Sequence, residues 1–202
     1  MTEMTRILLV EDNEQYAQAA EHYLTSKGTA VVRAKDYSEA IARLSGSSPD
    51  LDRVITDCFF PEITGSGKTD LGKEVVNRIA NPDDVRDDYK PYTESYRRNL
   101  IGAIETSEEN QPLGILVAER AVELGLPFVL TTSTYHHDEL TQPIYEYADL
   151  SRGWRLIDCG RNSQDDKANP KFWEHTLISL ESKAKSMGLD NQLRALIDGR
   201  DS

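Results

Sequence analysis

The sequence predicts an α/β protein, a three-layer sandwich around a five-stranded parallel sheet, and three observations carry that expectation. Short apolar runs alternate with stretches of helical periodicity. The connections between them are short, and several apolar runs end in acidic or hydroxyl residues.

RILLV (6–10) is the first strand, ending in Glu11, Asp12 and Asn13. Tyr16, Ala17, Ala20, Tyr23 and Leu24 then recur at helical spacing until Gly28 stops the helix. TAVVRA (29–34) is the second strand, and SEAIARL (38–44) is a short helix with Ala40, Ile41 and Leu44 inward. LDRVITD (51–57) is the third strand. The pattern resumes with the amphipathic LGILVAERAVELG (113–125) and the fourth strand, PFVLTTS (127–133). DELTQPIYEYADL (138–150) is a weaker helix, in which Pro143 must sit in a first turn or cause a break. WRLIDC (154–159) is the fifth strand, PKFWEHTLISLESKAKS (170–186) a helix opened by proline, and LDNQLRALI (189–197) a last short helix.

Residues 65–112 do not fit the alternation. They are rich in charge, contain an NPDD turn signal, and have helical character around 92–105. The expectation is a single domain over 1–186 with an insertion at about 65–112, and a helical extension over 187–202. Loops of such length are usually functional. A separate DNA-binding output domain after residue 186 is not expected.

Composition narrows the function. The chain of 202 residues has a net charge of −12, against a nucleic-acid-coating role, which needs a surplus of lysine and arginine. No apolar run approaches the ~18–20 residues of a membrane span. MTEMTRILLVED reaches acidic residues too soon for a signal peptide, so a cytoplasmic protein is expected. Cys58 and Cys159 are far apart, with no CxxC, and are expected to be buried free thiols.

Ligands of open parallel sheets bind at the carboxyl ends of strands. Glu11 and Asp12 end the first strand, Asp57 the third, and Thr131, Thr132 and Ser133 the fourth. If the first and third strands are neighbours, three carboxylates converge. Clustered carboxylates repel unless a cation joins them, and oxygen-only ligands favour Mg²⁺ or Ca²⁺ over zinc. An aspartate beside Mg²⁺ is also a plausible nucleophile toward phosphorus. Against this stands the ordinary use of acidic residues as helix caps, open to Asp12 or Asn13.

The segments RILLVEDNE, AKDYSEAIARL, PDLDRVITDCFFPEITG and LPFVLTTS together resemble the receiver domain of bacterial two-component response regulators. The resemblance covers 6–64 and 113–133 well, and 154–186 loosely. It implies a flavodoxin-like fold with strand order 2-1-3-4-5. It makes Asp57 the phosphoacceptor, with Mg²⁺ held by Glu11, Asp12, Asp57 and the main-chain carbonyl of Phe59. Thr132 becomes the switch hydroxyl, with Thr131 as the fallback. The implied partners are a histidine kinase or phosphotransfer protein and an output protein, so the chain reads as a signalling domain and not a turnover enzyme. The family's Lys-Pro after the fifth strand is absent from LIDCGRNSQDDKANPKFW, and Arg161 or Lys167 is the candidate substitute. That departure leaves open a pseudo-receiver, an interaction module not regulated by phosphorylation. A phosphohydrolase using Asp57 is disfavoured, because its usual second aspartate falls on Phe59.

GSGKT (65–69) invites a nucleotide-binding reading. A P-loop needs a glycine at position 62, which is Glu62, so the segment reads as a turn opening the insertion. His136 and His137 read as polar loop residues. Tyr89, Tyr92 and Tyr96, interleaved with Lys90, Arg97 and Arg98, read as packing of the insertion and not as a nucleic-acid surface.

Overall fold

The computed structural model describes residues 4–45, 50–67, 70–80, 93–161 and 166–198. Five parallel strands form one sheet in the order β2-β1-β3-β4-β5, as expected: β1 Arg6–Val10, β2 Ala30–Ala34, β3 Arg53–Asp57, β4 Phe128–Thr131 and β5 Leu156–Ile157. Period-two alternation in β1 separates the two cores. Ile7 and Leu9 face one side with Ala20, Leu24, Ile55, Val129 and Trp173. Leu8 and Val10 face the other with Ala40, Leu44, Val54, Leu130 and Ile115.

Helices α1 (Glu14–Ser26) and α7 (Pro170–Asp198) cover the first face. The second face is covered by α2 (Tyr37–Arg43), α5 (Gly114–Glu123) and α6 (Thr141–Tyr145), which widens into a π-helical stretch over Glu146–Ser151. Pro143 lies in the first turn of α6, where its missing N–H costs nothing. The helix α7 is continuous to Asp198, where two helices were expected; Gly188 lies inside it and does not end it. The fifth strand is two residues long, shorter than the run WRLIDC suggested.

The segment expected as an insertion carries two helices, α3 (Leu71–Ala80) and α4 (Thr93–Thr106), followed by a 3₁₀ turn, Glu108–Asn110. Val75 and Ile79 of α3 join the main core, while Val76 packs with Leu100 and Ile104 of α4 in a small core of its own. Within the charged segment, the helix-like run LGKEVVNRI carries an apolar stripe that packs into the main core. Tyr89, Lys90 and Tyr92 lie outside the described residues, as does the side chain of Tyr96.

α5 begins hard against the end of β3. The Gly114 N–H donates to the Cys58 carbonyl at 3.2 Å, and a Cβ at this position would come within 2.1 Å of the Asp57 carbonyl oxygen. Gly114→Ala must therefore push α5 away from the strand end. It is expected to cost about 1–3 kcal/mol, read as a lower urea midpoint with an unchanged m-value.

Candidate functional site

Parallel register sets β1 and β3 side by side, with Val10 opposite Thr56. The loops after both strands therefore open at one edge. Glu11, Asp12 and Asp57 converge there, with one carboxylate oxygen of each within 4.8 Å of the others. Asn13 is the cap of α1: its Oδ1 accepts from the N–H groups of Gln15 at 3.0 Å and Tyr16 at 3.2 Å. Asp12 is thus not needed as a cap.

The cation that joins the cluster is Lys167. Its side chain is fully buried, and its Nζ donates to Glu11 Oε2 and lies 3.2 Å from Asp57 Oδ1. The residue sits in a 3₁₀ turn (Asp166–Ala168) just before α7, and its carbonyl accepts a 2.6 Å hydrogen bond from the Trp173 indole. The Tyr16 ring flanks the ammonium at 5.6 Å. Arg161, the other candidate, is exposed and belongs to no ion pair among the described residues.

Asp57 Oδ1 also accepts from the Cys58 N–H at 2.8 Å, so Lys167 and the backbone share one oxygen and leave Oδ2 without a partner among the described residues. A cavity of about 260 Å³ opens over the cluster, lined by Glu11, Asp12, Asp57 and Phe59 from one side and Thr132, Ser133 and Thr134 from another. Thr132 lies one residue past β4, held by its N–H on the Ile157 carbonyl at 3.0 Å, with its hydroxyl 2.9 Å from that of Thr134. Thr131 points its hydroxyl at the Thr56 carbonyl at 3.4 Å and does not line the cavity. Geometry separates the two threonines that the sequence left together.

Burial sets the electrostatics. It pushes the Glu11 carboxyl up to about 8 and the Asp12 carboxyl up to about 7, with Asp57 adding to both and Lys167 pulling them down. Burial likewise raises Asp57, against the pull of Lys167 and the Cys58 N–H. For Lys167 burial opposes the charge, but the Asp57 and Glu11 carboxylates outweigh it and hold the ammonium above the ordinary lysine value. One cation does not balance three carboxylates. The oxygen donor set and the elevated carboxyls fit a divalent cation such as Mg²⁺.

Cys58 and Cys159 are free and buried. Burial and the adjacent Asp57 push the Cys58 thiol well above its usual range, so it is an inert neighbour. His136 donates its backbone N–H to Asp158 Oδ2 at 2.9 Å and sets Nδ1 2.7 Å from the same oxygen. Its ring packs 4.2 Å from that of His137. Neither histidine lines the cavity. Among the cavity residues missed from the sequence are Glu109 and Asn110 of the 3₁₀ turn before α5, and Thr134 and Leu140 after β4. Lys68 and Thr69 of GSGKT lie outside the described residues, whereas Gly65 and Gly67 have positive φ and donate their N–H groups to the Glu108 carboxylate at 3.0 and 2.6 Å.

The chain is similar to solved receiver domains. One is the CheY-like response regulator receiver domain protein from Methanospirillum hungatei JF-1, at 14% identity and a TM-score of 0.49, covering 93% of this chain and 99% of that one. A second is the signal receiver domain of an HD domain-containing protein from Pseudomonas fluorescens Pf-5, at 14% identity and a TM-score of 0.47, covering 92% and 98%. A third is the chemotaxis response regulator CheY4 of Vibrio cholerae, at 18% identity and a TM-score of 0.45, covering 88% and 99%. No family model matches the chain, and no curated protein matches it. At such identities and scores the functional weight falls on the four charged groups. Among the described residues, no helix is long and apolar enough to cross a membrane.

Two outcomes follow from this geometry. Lys167→Met strands two buried carboxylates and should cost about 3–5 kcal/mol in chemical denaturation, whereas Arg161→Ala should change stability by less than about 0.5 kcal/mol. The raised carboxyls also fix a pH dependence. A carboxyl whose folded pKa exceeds its unfolded one binds more protons when folded, so its contribution is present at low pH and lost as pH rises through the folded value. Without divalent cations the melting temperature should fall between pH 5 and about 8, the range set by Asp12 and Glu11. Millimolar Mg²⁺ should reverse that fall, giving its largest stabilisation at pH 8; equal stabilisation at pH 5 and pH 8 would contradict it.

Proposed function

We propose that this protein is a phosphorelay receiver that accepts a phosphoryl group on Asp57 and signals by changing a partner-binding surface. The observation that carries the reading is the buried Lys167 ammonium held between Glu11 and Asp57, two carboxylates that line an open cavity. The sequence lacks the family's Lys-Pro, and this lysine occupies the corresponding chemical role from a different place in the chain.

In the proposed reaction an Asp57 oxygen attacks the phosphorus of a phosphohistidine or small acyl-phosphate donor. The new O–P bond forms as the donor's bond to phosphorus breaks, and the leaving nitrogen or oxygen keeps the electron pair. Lys167 pairs with a phosphoryl oxygen, and the Thr132 hydroxyl donates to another. A Mg²⁺ held by Glu11, Asp12, Asp57 and the Phe59 carbonyl would neutralise the charge carried by the transferring group. Recruitment of Thr132 breaks its contact with Thr134, which is itself bonded to Thr141 at the start of α6. The charge event thus reaches the α6 face, a local change biasing a packed element. The upstream partner is then a histidine kinase or phosphotransfer protein, and the downstream one an output protein. The chemistry is stoichiometric transfer, with no substrate turned over.

Intact mass after incubation with Mg²⁺ and acetyl phosphate or phosphoramidate tests this. Wild type should gain one phosphoryl mass, and Asp57→Asn should gain none. Wild type without an adduct, in conditions where Mg²⁺ raises its melting temperature, would leave the pseudo-receiver reading in place of this one.

A further inference from the structure

The mouth of the Asp57 cavity is built by the segment that departs most from the receiver pattern. Glu109 and Asn110 line the same cavity as Glu11, Asp12, Asp57 and Thr132. The turn that carries them is tied down on several sides. Glu108 accepts from the N–H groups of Gly65 and Gly67. Ser107 Oγ accepts from the Glu109 N–H at 3.2 Å. The Asn110 amide donates to the Ala103 carbonyl at 3.2 Å. Gln111, fully buried, donates its side-chain N–H to the Glu108 carbonyl, and its backbone carbonyl accepts from the Phe60 N–H. Glu109 is therefore an exposed carboxylate on a fixed support, with its side chain bordering the cavity.

Direction gives that position its meaning. A phosphoryl group on Asp57 is bonded through the floor of the cavity. In-line displacement at phosphorus requires the attacking water to come from the side opposite the Asp57 oxygen, and the cavity over the cluster gives that water its space. The groups at the mouth from this segment are a carboxylate, able to take a proton, and an amide whose Oδ1 makes no bond among the described residues and can orient a water.

We propose that Glu109 is the general base for hydrolysis of the Asp57 acyl phosphate, so that the inserted segment sets the lifetime of the protein's own phosphorylated state. The inference rests on the phosphoacceptor reading of Asp57. A water at the mouth gives its proton to the Glu109 carboxylate as its oxygen bonds to phosphorus. The bond between phosphorus and the Asp57 oxygen breaks, and that oxygen keeps the pair as carboxylate. Inorganic phosphate leaves, and Glu109 returns the proton to solvent. Glu108 acts as a positioning residue: its hold on the glycine turn keeps the 3₁₀ turn over the cavity.

The experiment follows the decay of phosphorylated full-length protein after removal of the donor, for wild type and Glu109→Gln, in H₂O and D₂O. Glu109→Gln is expected to lengthen the phosphorylated lifetime about 100-fold, the low side of what a positioned base supplies. The solvent isotope effect on decay should shrink in the variant. An unchanged lifetime overturns the inference while leaving Asp57 as phosphoacceptor. A lifetime that lengthens with an isotope effect equal to wild type also overturns it, since proton transfer would not be what was lost. If wild type carries no adduct, the phosphoacceptor reading fails and this inference with it.

Discussion

The buried ammonium of Lys167 is the constraint around which the rest is arranged. A lysine with no exposed side-chain surface must be paired, and its two carboxylates come from different strands, Glu11 after β1 and Asp57 at the end of β3. That pairing is available only if β1 and β3 are neighbours, as the order β2-β1-β3-β4-β5 makes them. It also fixes the chain after β5. The turn at Asp166–Ala168 must return to the centre of the sheet edge, and the Trp173 indole in the first turns of α7 secures it by the Lys167 carbonyl. The start of α7 and the acidic edge of the sheet are thus one packed unit.

The electrostatic balance is incomplete by design of the residue set. Three carboxylates face one ammonium, and burial holds Glu11, Asp12 and Asp57 toward their protonated forms. Such a cluster responds strongly to added charge. An ammonium has three donors, and two are committed here, to Glu11 and toward Asp57. Asp57 commits its oxygens unequally, with Oδ1 held by Lys167 and the Cys58 N–H and Oδ2 without a partner among the described residues. Nearby, Gly114 lets α5 approach the end of β3 so closely that the aspartate's own carbonyl has no room to shift.

How much of this could be read beforehand follows from how local each signal is. Alternation in RILLV, the Asn13 cap and the proline opening α7 are short-range patterns, and they placed the sheet and its acidic edge correctly. Lys167 was one of two candidates because a loop's path leaves no periodic trace. What distinguishes it from Arg161 is burial, which only tertiary packing decides. The 3₁₀ turn of Glu109 and Asn110 left still less trace. It lies at the end of a highly charged segment, and its place at the cavity depends on contacts with Ala103, Ser107 and the glycine turn together.

The glycine turn itself shows why GSGKT reads two ways. Glycines at positive φ present successive N–H groups that form a concave receptor for an anion, the same physics a phosphate-binding loop uses. Here the receptor already holds an anion, the carboxylate of Glu108, supplied by the same chain. A tethered carboxylate competes at a high effective concentration with any phosphate from solution. Glu62 places a second anionic side chain where a phosphate loop would need its first glycine. The turn is therefore a clasp between the end of β3 and the segment before α5. By closing on Glu108 it fixes Glu109, one residue on, at the mouth of the cavity above Asp57.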